Sequence, residues 1–156
     1  MAESRYEKYV IRRPLHPDPN LYEGGAYPNA RFLEGRKPNS PMPSNFLLEY
    51  MLVTRDWYVG MSDQRGVQEH DFDELFAFIG TNPEDTNDLG GEVEFWMGKG
   101  DETEKIKITT PSTIYCPGGV THMPIFFKNV KRPFLMVVIG LNVGDMNVTR
   151  YPKRGP

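Results

Sequence analysis

The stretch PGGVTH at residues 117–122 determines how the rest of the chain is interpreted. It delivers a histidine from a tight turn, because a proline and two glycines favour a reversal that other residues would strain. Earlier in the chain, the stretch QEHDFDE at residues 68–74 places another histidine ahead of a glutamate. Two imidazoles and a carboxylate are a suitable donor set for one divalent cation in a β-rich pocket. The two stretches therefore predict a metal site.

The composition favours one small domain built from strands. The chain has 156 residues, enough to bury its own core, and its 14 prolines and 15 glycines indicate many turns and few long helices. The net charge of −3 and the scattered basic residues argue against nucleic acid as a partner. The longest apolar run, residues 134–139, is too short to span a membrane.

The chain carries neither of the usual marks of an exported protein. Its single cysteine, Cys116, excludes an internal disulfide, and residues 1–5 lack the apolar run of a signal peptide. We therefore expect a cytoplasmic protein with no membrane partner.

Residues 1–45 predict an extended N-terminal arm. Prolines and glycines recur every few residues, so no helix is expected there. Aromatic side chains such as Tyr22 and Phe32 favour an ordered arm over a disordered leader. The predicted organisation is an arm at 1–45, a β-domain at 46–150 and a C-terminal tail at 151–156.

From residue 46 onward, short runs of β-branched and aromatic residues alternate with turn-forming residues. This pattern predicts strands at short, regular intervals, as in a sandwich or barrel. The predicted strands lie at residues 46–53, 57–59, 75–80, 92–97, 105–109, 113–116 and 134–141.

The two motif stretches resemble the paired signature motifs of the cupin superfamily, whose members are small jelly-roll barrels that hold one metal. PGGVTH reproduces the family's Pro-x-Gly-x-x-His core. QEHDFDE is similar to the family's His-x-His-x-x-x-Glu, with Gln68 at the position of the first histidine. The resemblance covers residues 46–142 and implies an all-β, cupin-type double-stranded β-helix with an extended N-terminal arm.

Strand geometry assigns the metal ligands. Gln68 and His70 would project to the same face of a strand, Glu74 follows after a bend, and His122 arrives from the turn. The predicted ligands are His70, Glu74, His122 and Gln68, the last either as a ligand or as a residue that orients a water or substrate. This donor set favours Fe(II) or Mn(II), with zinc, cobalt and nickel as alternatives.

Other residues near the motifs have less specific interpretations. Cys116 is expected to be a buried, inert thiol rather than a ligand. Phe76 is expected to line a largely apolar pocket. Tyr58 and Tyr115 could each donate a proton, and Tyr115 is the predicted catalytic tyrosine. His16, in a proline-rich stretch, is expected to lie in an exposed loop.

The resemblance implies a mononuclear metalloenzyme whose substrate is a small organic molecule chelated through adjacent oxygens, such as a diol, a hydroxy acid or a keto acid. The metal would act as a Lewis acid, and Glu74 could be both a ligand and a catalytic base. Dioxygenase, lyase, isomerase and hydrolase reactions all remain open, with oxidoreductase and lyase favoured. The alternative is a non-catalytic cupin that binds or senses a small molecule, with a structural metal or none.

Association between copies is also expected. The edges of jelly-roll sheets invite pairing, so we predict a homodimer or higher oligomer with residues 1–45 at the interface.

Overall fold

The computed structural model describes most of the predicted β-domain. The described residues are Tyr6, Val10, 30–34, 46–60, 67–143 and 148–151. Within these ranges the regular structure is β-strand, apart from one 3-10 turn at Gly100–Glu102. The predicted all-β class is therefore confirmed. No helix among the described residues has the length and apolar character needed to cross a membrane.

The strands of the described ranges are numbered in chain order. They are β1 (Ala30–Glu34), β2 (Phe46–Val53), β3 (Trp57–Val59), β4 (Val67–His70), β5 (Asp73–Gly80), β6 (Glu92–Met97), β7 (Glu104–Ile108), β8 (Ser112–Cys116), β9 (His122–Lys128), β10 (Phe134–Leu141) and β11 (Val148–Tyr151).

These strands form two antiparallel sheets. Sheet A has the order β1-β2-β10-β5-β8, and sheet B has the order β11-β4-β9-β6-β7, with β3 pairing to β9. Neighbours in each sheet are mostly distant in sequence, as expected where the chain crosses repeatedly from one sheet to the other. The result is the predicted jelly roll.

Alternation within the strands builds the core. In β2, β5 and β10, every second side chain is buried and the intervening ones reach the outer surface. Large aromatic side chains fill the space between the sheets. The Phe127 and Phe134 rings meet at 5.9 Å and the Phe76 and Phe95 rings at 4.9 Å, both edge to face. Full burial of such a side chain stabilises the fold by about 1.5–3 kcal/mol.

Strand bounds follow the predicted pattern closely in places and not in others. The strands predicted at 46–53, 57–59, 92–97 and 134–141 have those bounds in the structure. Strand β9 was not predicted, since Pro124 inside an apolar run argues against a ladder strand. Strand β11 was also missed.

Two strands fall at the limits of the predicted regions. Strand β1 lies within the predicted arm and pairs with β2 at the edge of sheet A. Strand β11 pairs with β4 and ends at Tyr151, one residue beyond the predicted domain limit. The remainder of the arm, including the predicted loop residue His16, lies outside the described residues.

Candidate metal centre

Three strand ends position the side chains of the site. His70 is the last residue of β4, Glu74 is the second residue of β5, and His122 is the first residue of β9. A bend at residues 71–72 carries the chain from sheet B to sheet A. The two histidines therefore come from one sheet and the glutamate from the other, and all three face the interior.

The glycine turn places His122 beside His70. The Val120 N–H donates to the Pro117 carbonyl at 3.1 Å and closes the turn, and Gly119 has a φ of 81°, which favours glycine. The Gly119 N–H also donates to the His70 carbonyl at 2.7 Å. At Gly118 a side chain would lie 2.9 Å from the Asp71 backbone. Gly119 thus allows the backbone of the turn, and Gly118 allows the turn to pack directly against the bend.

A side-chain bond outside the barrel links the same two segments. The Thr121 hydroxyl donates to Glu69 Oε2 at 2.8 Å, so the residues that precede His122 and His70 in the chain are joined. The spacing between the two histidines is therefore held by backbone and side-chain bonds together.

The three side chains converge closely. Glu74 Oε2 lies 3.0 Å from His70 Nε2 and 3.3 Å from His122 Nε2. One ligand atom from each residue falls within 4.8 Å of the others, and all three residues are buried. The structure thus brings together three of the four predicted metal ligands.

Backbone carbonyls select the tautomer of each histidine. His70 Nδ1 lies 2.7 Å from the Phe72 carbonyl, and His122 Nδ1 lies 3.1 Å from the Val120 carbonyl. A carbonyl can only accept, so each Nδ1 carries a proton, and Nε2 is the ring atom left to face a metal. Among the described residues, neither Nε2 has a partner that meets hydrogen-bond geometry, although both are buried. The two Nε2 atoms and a carboxylate oxygen therefore face one point.

Glu74 carries a negative charge in this arrangement. Burial opposes its ionisation, but His122 and His70, where a proton on Nε2 makes them donors to the carboxylate, favour the charged form more strongly and lower the pKa of Glu74 to about 2. Three electron-rich atoms that converge in a low-dielectric interior are stabilised by a cation between them. The residues present fit a divalent metal, with the carboxylate supplying charge and the imidazoles nitrogen donors.

Aromatic side chains surround the histidines. The Phe72 ring stacks on His70 at 3.8 Å, and the Phe76 and Phe95 rings lie 5.7 Å and 6.4 Å from the His122 ring. Phe76, which was predicted to line the pocket, is buried in this position. An apolar surround of this kind limits water around the site and strengthens electrostatic interactions within it.

Gln68 lies next to the three converging residues. It is half-buried and is the cross-strand partner of His122, which places both side chains on the same face of sheet B. Gln68 thus lies beside the three converging residues. Its role, either as a metal ligand or as a residue that orients a water or substrate, stays a prediction.

Tyr115 does not reach the centre, contrary to the expectation for a catalytic tyrosine. It pairs with Leu75, is 54% exposed, and donates its hydroxyl to Asp73 Oδ2 at 2.9 Å on the outer side of sheet A. This bond raises the pKa of the Tyr115 hydroxyl. The inward position next to Glu74 belongs to Cys116, the next residue along the strand. Tyr58 likewise faces outward, with its ring 6.3 Å from Phe126.

Cys116 lies behind the centre rather than in it. Its thiol donates to the Val120 carbonyl at 3.8 Å and contacts His122 Nδ1 at 3.4 Å, on the side of the ring opposite to Nε2. Burial, together with the charges of Glu74 and Asp73, raises the pKa of the thiol to about 12. The group is a neutral thiol at physiological pH, in agreement with the predicted inert cysteine.

One interior carboxylate, that of Glu49, was not predicted as part of the site. Glu49 is buried on β2, and it pairs with Val138, which pairs in turn with Phe76 on β5. It therefore faces the same interior as the metal centre. The signal was available, because Glu49 occupies a buried position in the alternation of Leu47, Met51 and Val53.

Comparison with known proteins identifies the fold. No family model matches the chain, and no curated protein matches its sequence. An oxalate oxidase in complex with the substrate analogue glycolate is 11% identical, with a TM-score of 0.52 over 90% of this chain and 60% of that one. A cupin 2 domain-containing protein from Halorhodospira halophila is 14% identical, with a TM-score of 0.50 over 81% and 69%.

A vicilin from Corylus avellana (hazelnut) is 13% identical, with a TM-score of 0.52 over 77% of this chain and 30% of that one. The chain therefore spans less than two thirds of the oxalate oxidase and under a third of the vicilin. These three proteins have different names, and what each shares with this chain is the two-sheet barrel. This chain has the cupin fold.

Proposed function

We propose that the protein is a mononuclear metal-dependent cupin enzyme that acts on a small, oxygen-rich organic substrate chelated to the metal. The observation that carries the proposal is the convergence of two buried Nε2 atoms, which have no hydrogen-bond partner among the described residues, and the Glu74 carboxylate beside aromatic rings. Fe(II) and Mn(II) are the favoured ions, because mixed nitrogen and carboxylate donors with open positions suit them. Zinc, cobalt and nickel are the alternatives.

The residues around the centre have distinct tasks in this proposal. When bound, the metal would supply Lewis-acid chemistry, polarising a carbonyl or lowering the pKa of a hydroxyl. The carbonyls of Phe72 and Val120 keep both imidazoles in the ligating tautomer. Phe76 and Phe95 exclude water from the reacting groups. Glu74 supplies the negative charge that balances the cation and is the candidate base.

The substrate class is proposed from the donor set and from a structural neighbour. A small diol, hydroxy acid or keto acid can occupy adjacent open positions on one metal through two oxygens. The oxalate oxidase of similar fold was solved with glycolate, which is such a molecule. Oxidoreductase and lyase reactions are the two that we favour, and both act on substrates held in this way.

The decisive experiment measures metal content. Wild-type protein, His122→Ala and His16→Ala are purified without chelators under anaerobic conditions, and bound metals are quantified by mass spectrometry. We expect about one equivalent of metal in the wild type and in His16→Ala, and less than about a tenth in His122→Ala, which lacks one of three ligands. Circular dichroism checks that all three proteins are folded.

The same experiment separates the alternative function. A wild type with less than about a tenth of an equivalent of metal, and with no stabilisation by added Fe(II) or Mn(II), would favour a non-catalytic cupin that binds or senses a small molecule. The feature that supports this alternative is Gln68, which stands where the family's first motif has a histidine.

Two expectations about the protein's surroundings belong to the same proposal. We infer a cytoplasmic location and a homo-oligomer to which residues 1–45 contribute. Nucleic acid and membrane are not proposed as partners, because the chain is acidic overall and its basic residues are scattered.

A further inference from the structure

Glu49 is an interior carboxyl group that does not belong to the three converging side chains. The other inward residues of β2, namely Leu47, Met51 and Val53, are apolar and at most 5% exposed, and Glu49 itself is only 8% exposed. A carboxyl group taken out of water costs stability that an apolar side chain at the same position would not cost. Packing of the core therefore does not explain why β2 carries a glutamate here.

Strand pairing places Glu49 one inward row away from the metal centre. The first inward row of sheet A contains Glu74, and the next one contains Glu49. The two rows are Leu47–Gly140–Glu74 and Glu49–Val138–Phe76. One strand and one inward position separate the two carboxyl groups, which amounts to on the order of 12 Å between their Cα atoms. The second row also reaches the centre through Phe76, whose ring lies 5.7 Å from the His122 ring.

Apolar side chains close the opposite side of the first row. At Gly140, an added Cβ would lie 2.9 Å from Val143, 3.1 Å from Leu47 and 3.2 Å from Phe72. All three side chains are buried, and two of them come from just outside the ends of β10 and β5, so they cover this end of the barrel. A molecule bound at the metal centre would therefore extend toward the row of Glu49.

The buried polar side chains offer hydrogen-bond acceptors to such a molecule. Among the residues whose burial the structure describes, no lysine or arginine is buried, and the buried polar or charged side chains are Glu49, His70, Glu74, Thr121 and His122. Glu49 takes part in an interaction within the protein, but its two oxygens can accept from more than one donor. This interior is complementary to a ligand that brings a donor of its own.

We propose that Glu49 is a substrate-binding residue, which accepts a hydrogen bond from an ammonium or hydroxyl group at the far end of the substrate. The inference rests on the proposed function, because the chelating end of the substrate is taken to lie at the metal centre. The substrate class is then a 2-hydroxy acid whose chain of roughly three to five carbon atoms ends in a donor, a length that bridges the two rows. Dicarboxylates carry only acceptors and are disfavoured.

Isothermal titration calorimetry of the Mn(II)-loaded protein tests this role without relying on turnover. The probes are 2-hydroxypropanoate, 2-hydroxybutanoate and 2-hydroxypentanoate, each with and without a terminal amino group. We expect the wild type to bind the amino form of at least one pair about tenfold more tightly, as one hydrogen bond to a charged group allows. Glu49→Leu should bring this ratio to about one, whereas a purely structural role would change both affinities equally. Glu84→Leu, at an exposed turn, should keep the wild-type ratio.

Metal content, measured on the same samples, separates this inference from the proposed function. Glu49→Leu should retain about one equivalent of Mn(II), because Glu49 is not among the converging ligands. A metal-loaded wild type without preference in any pair, or an unchanged ratio in Glu49→Leu, would overturn the role of Glu49 and leave the metal site standing. A wild type that binds no metal would overturn both. If Glu49→Leu does not fold, Glu49→Gln keeps the shape of the side chain and should lower the ratio by at least about threefold.

Discussion

The two ends of the barrel interior are built on the same strands but have opposite chemistry. At one end, Gly140 of β10 pairs with Glu74, opposite the histidines of sheet B. At the other end of β10, Phe134 is fully buried and meets Phe127 across the gap between the sheets. The interior therefore changes along β10 from an end with an ionised carboxylate, beside Gly140, to an apolar end at Phe134.

This contrast separates stability from function. Apolar burial at the phenylalanine end is favourable without any ligand. At the metal end, two buried nitrogens have no hydrogen-bond partner among the described residues, and the charge of the carboxylate beside them is balanced only when protons or a metal ion join the three side chains. We infer that the phenylalanine end stabilises the fold unconditionally, while the contribution of the metal end depends on the cation that it holds. Four predictions test this division, in order of decreasing effect.

The largest effect is expected at the apolar end. Phe127→Ala should lower the free energy of unfolding by about 3–5 kcal/mol, since it removes a buried ring from a packed core. Urea denaturation with and without added metal should give the same loss. Phe126→Ala is the matched control, because its ring lies on the outer face of the same strand and is half-buried. Equal losses in the two variants would contradict the assigned core.

A smaller, metal-dependent effect is expected at Glu74. In the wild type, metal at roughly 100 times its dissociation constant should raise the free energy of unfolding by about 2.7 kcal/mol. Glu74→Gln should abolish this increment because it removes the charged ligand, and it should also make the metal-free protein less stable at neutral pH, because a folded-state pKa of about 2 means that the ionised carboxylate favours the folded protein. Thermal denaturation with and without Mn(II) measures both quantities. Undiminished stabilisation of Glu74→Gln by Mn(II) would contradict the ligand role of Glu74.

Gln68 is expected to influence the metal affinity of the centre without being essential for metal binding. Gln68→His adds an imidazole beside His122 and should tighten metal binding on the order of tenfold, or about 1.4 kcal/mol. Asp71→His adds the same group at an exposed position of the bend and should leave the affinity unchanged. Competition with a chromophoric chelator measures the dissociation constants. Equal affinities for all three proteins would place the Gln68 side chain away from the metal.

The smallest effect is expected for the alkylation of the Cys116 thiol in the folded protein. The thiol is fully buried with a pKa raised to about 12, so its thiolate fraction at pH 8 is roughly 1 in 10,000. Iodoacetamide should leave the folded protein unmodified over hours and should label it fully in urea. Mass spectrometry follows the reaction. Rapid labelling of the folded protein would contradict the inert role.

Much of the local structure could be predicted from residue patterns. Runs of apolar, β-branched and aromatic residues bounded by turn-forming residues defined β2 and β10 with their correct ends. The spacing of His70, Glu74 and His122 identified the converging residues, since motif spacing carries the geometry of a bend and a turn. Strand β9 was missed because it contains Pro124, which lies at an irregularity of the ladder with β6, between the partners of Phe95 and Met97, and this irregularity cannot be read from the residue pattern.

Register and burial, by contrast, depend on partners far away in the chain. Only the pairing of β5 with β8 decides that Cys116, and not Tyr115, shares the face of Glu74. A shift of one residue would exchange the two, since neighbouring side chains in a strand point to opposite faces. For Glu49, alternation along β2 already indicates the interior, and only its alignment with Val138 and Phe76 depends on strand pairing.

The sequence by itself determined the all-β class, most strand positions and the identity of the converging ligands, because these depend on local periodicity and on motif spacing. The tertiary structure alone decided the backbone of the bend and the turn, which aims one carbonyl at each histidine, and which side of sheet A carries Tyr115. The side that Tyr115 occupies depends on pairing between strands that are remote in sequence, and the shape of the bend and the turn depends on their packing against each other, so no local pattern encodes either feature.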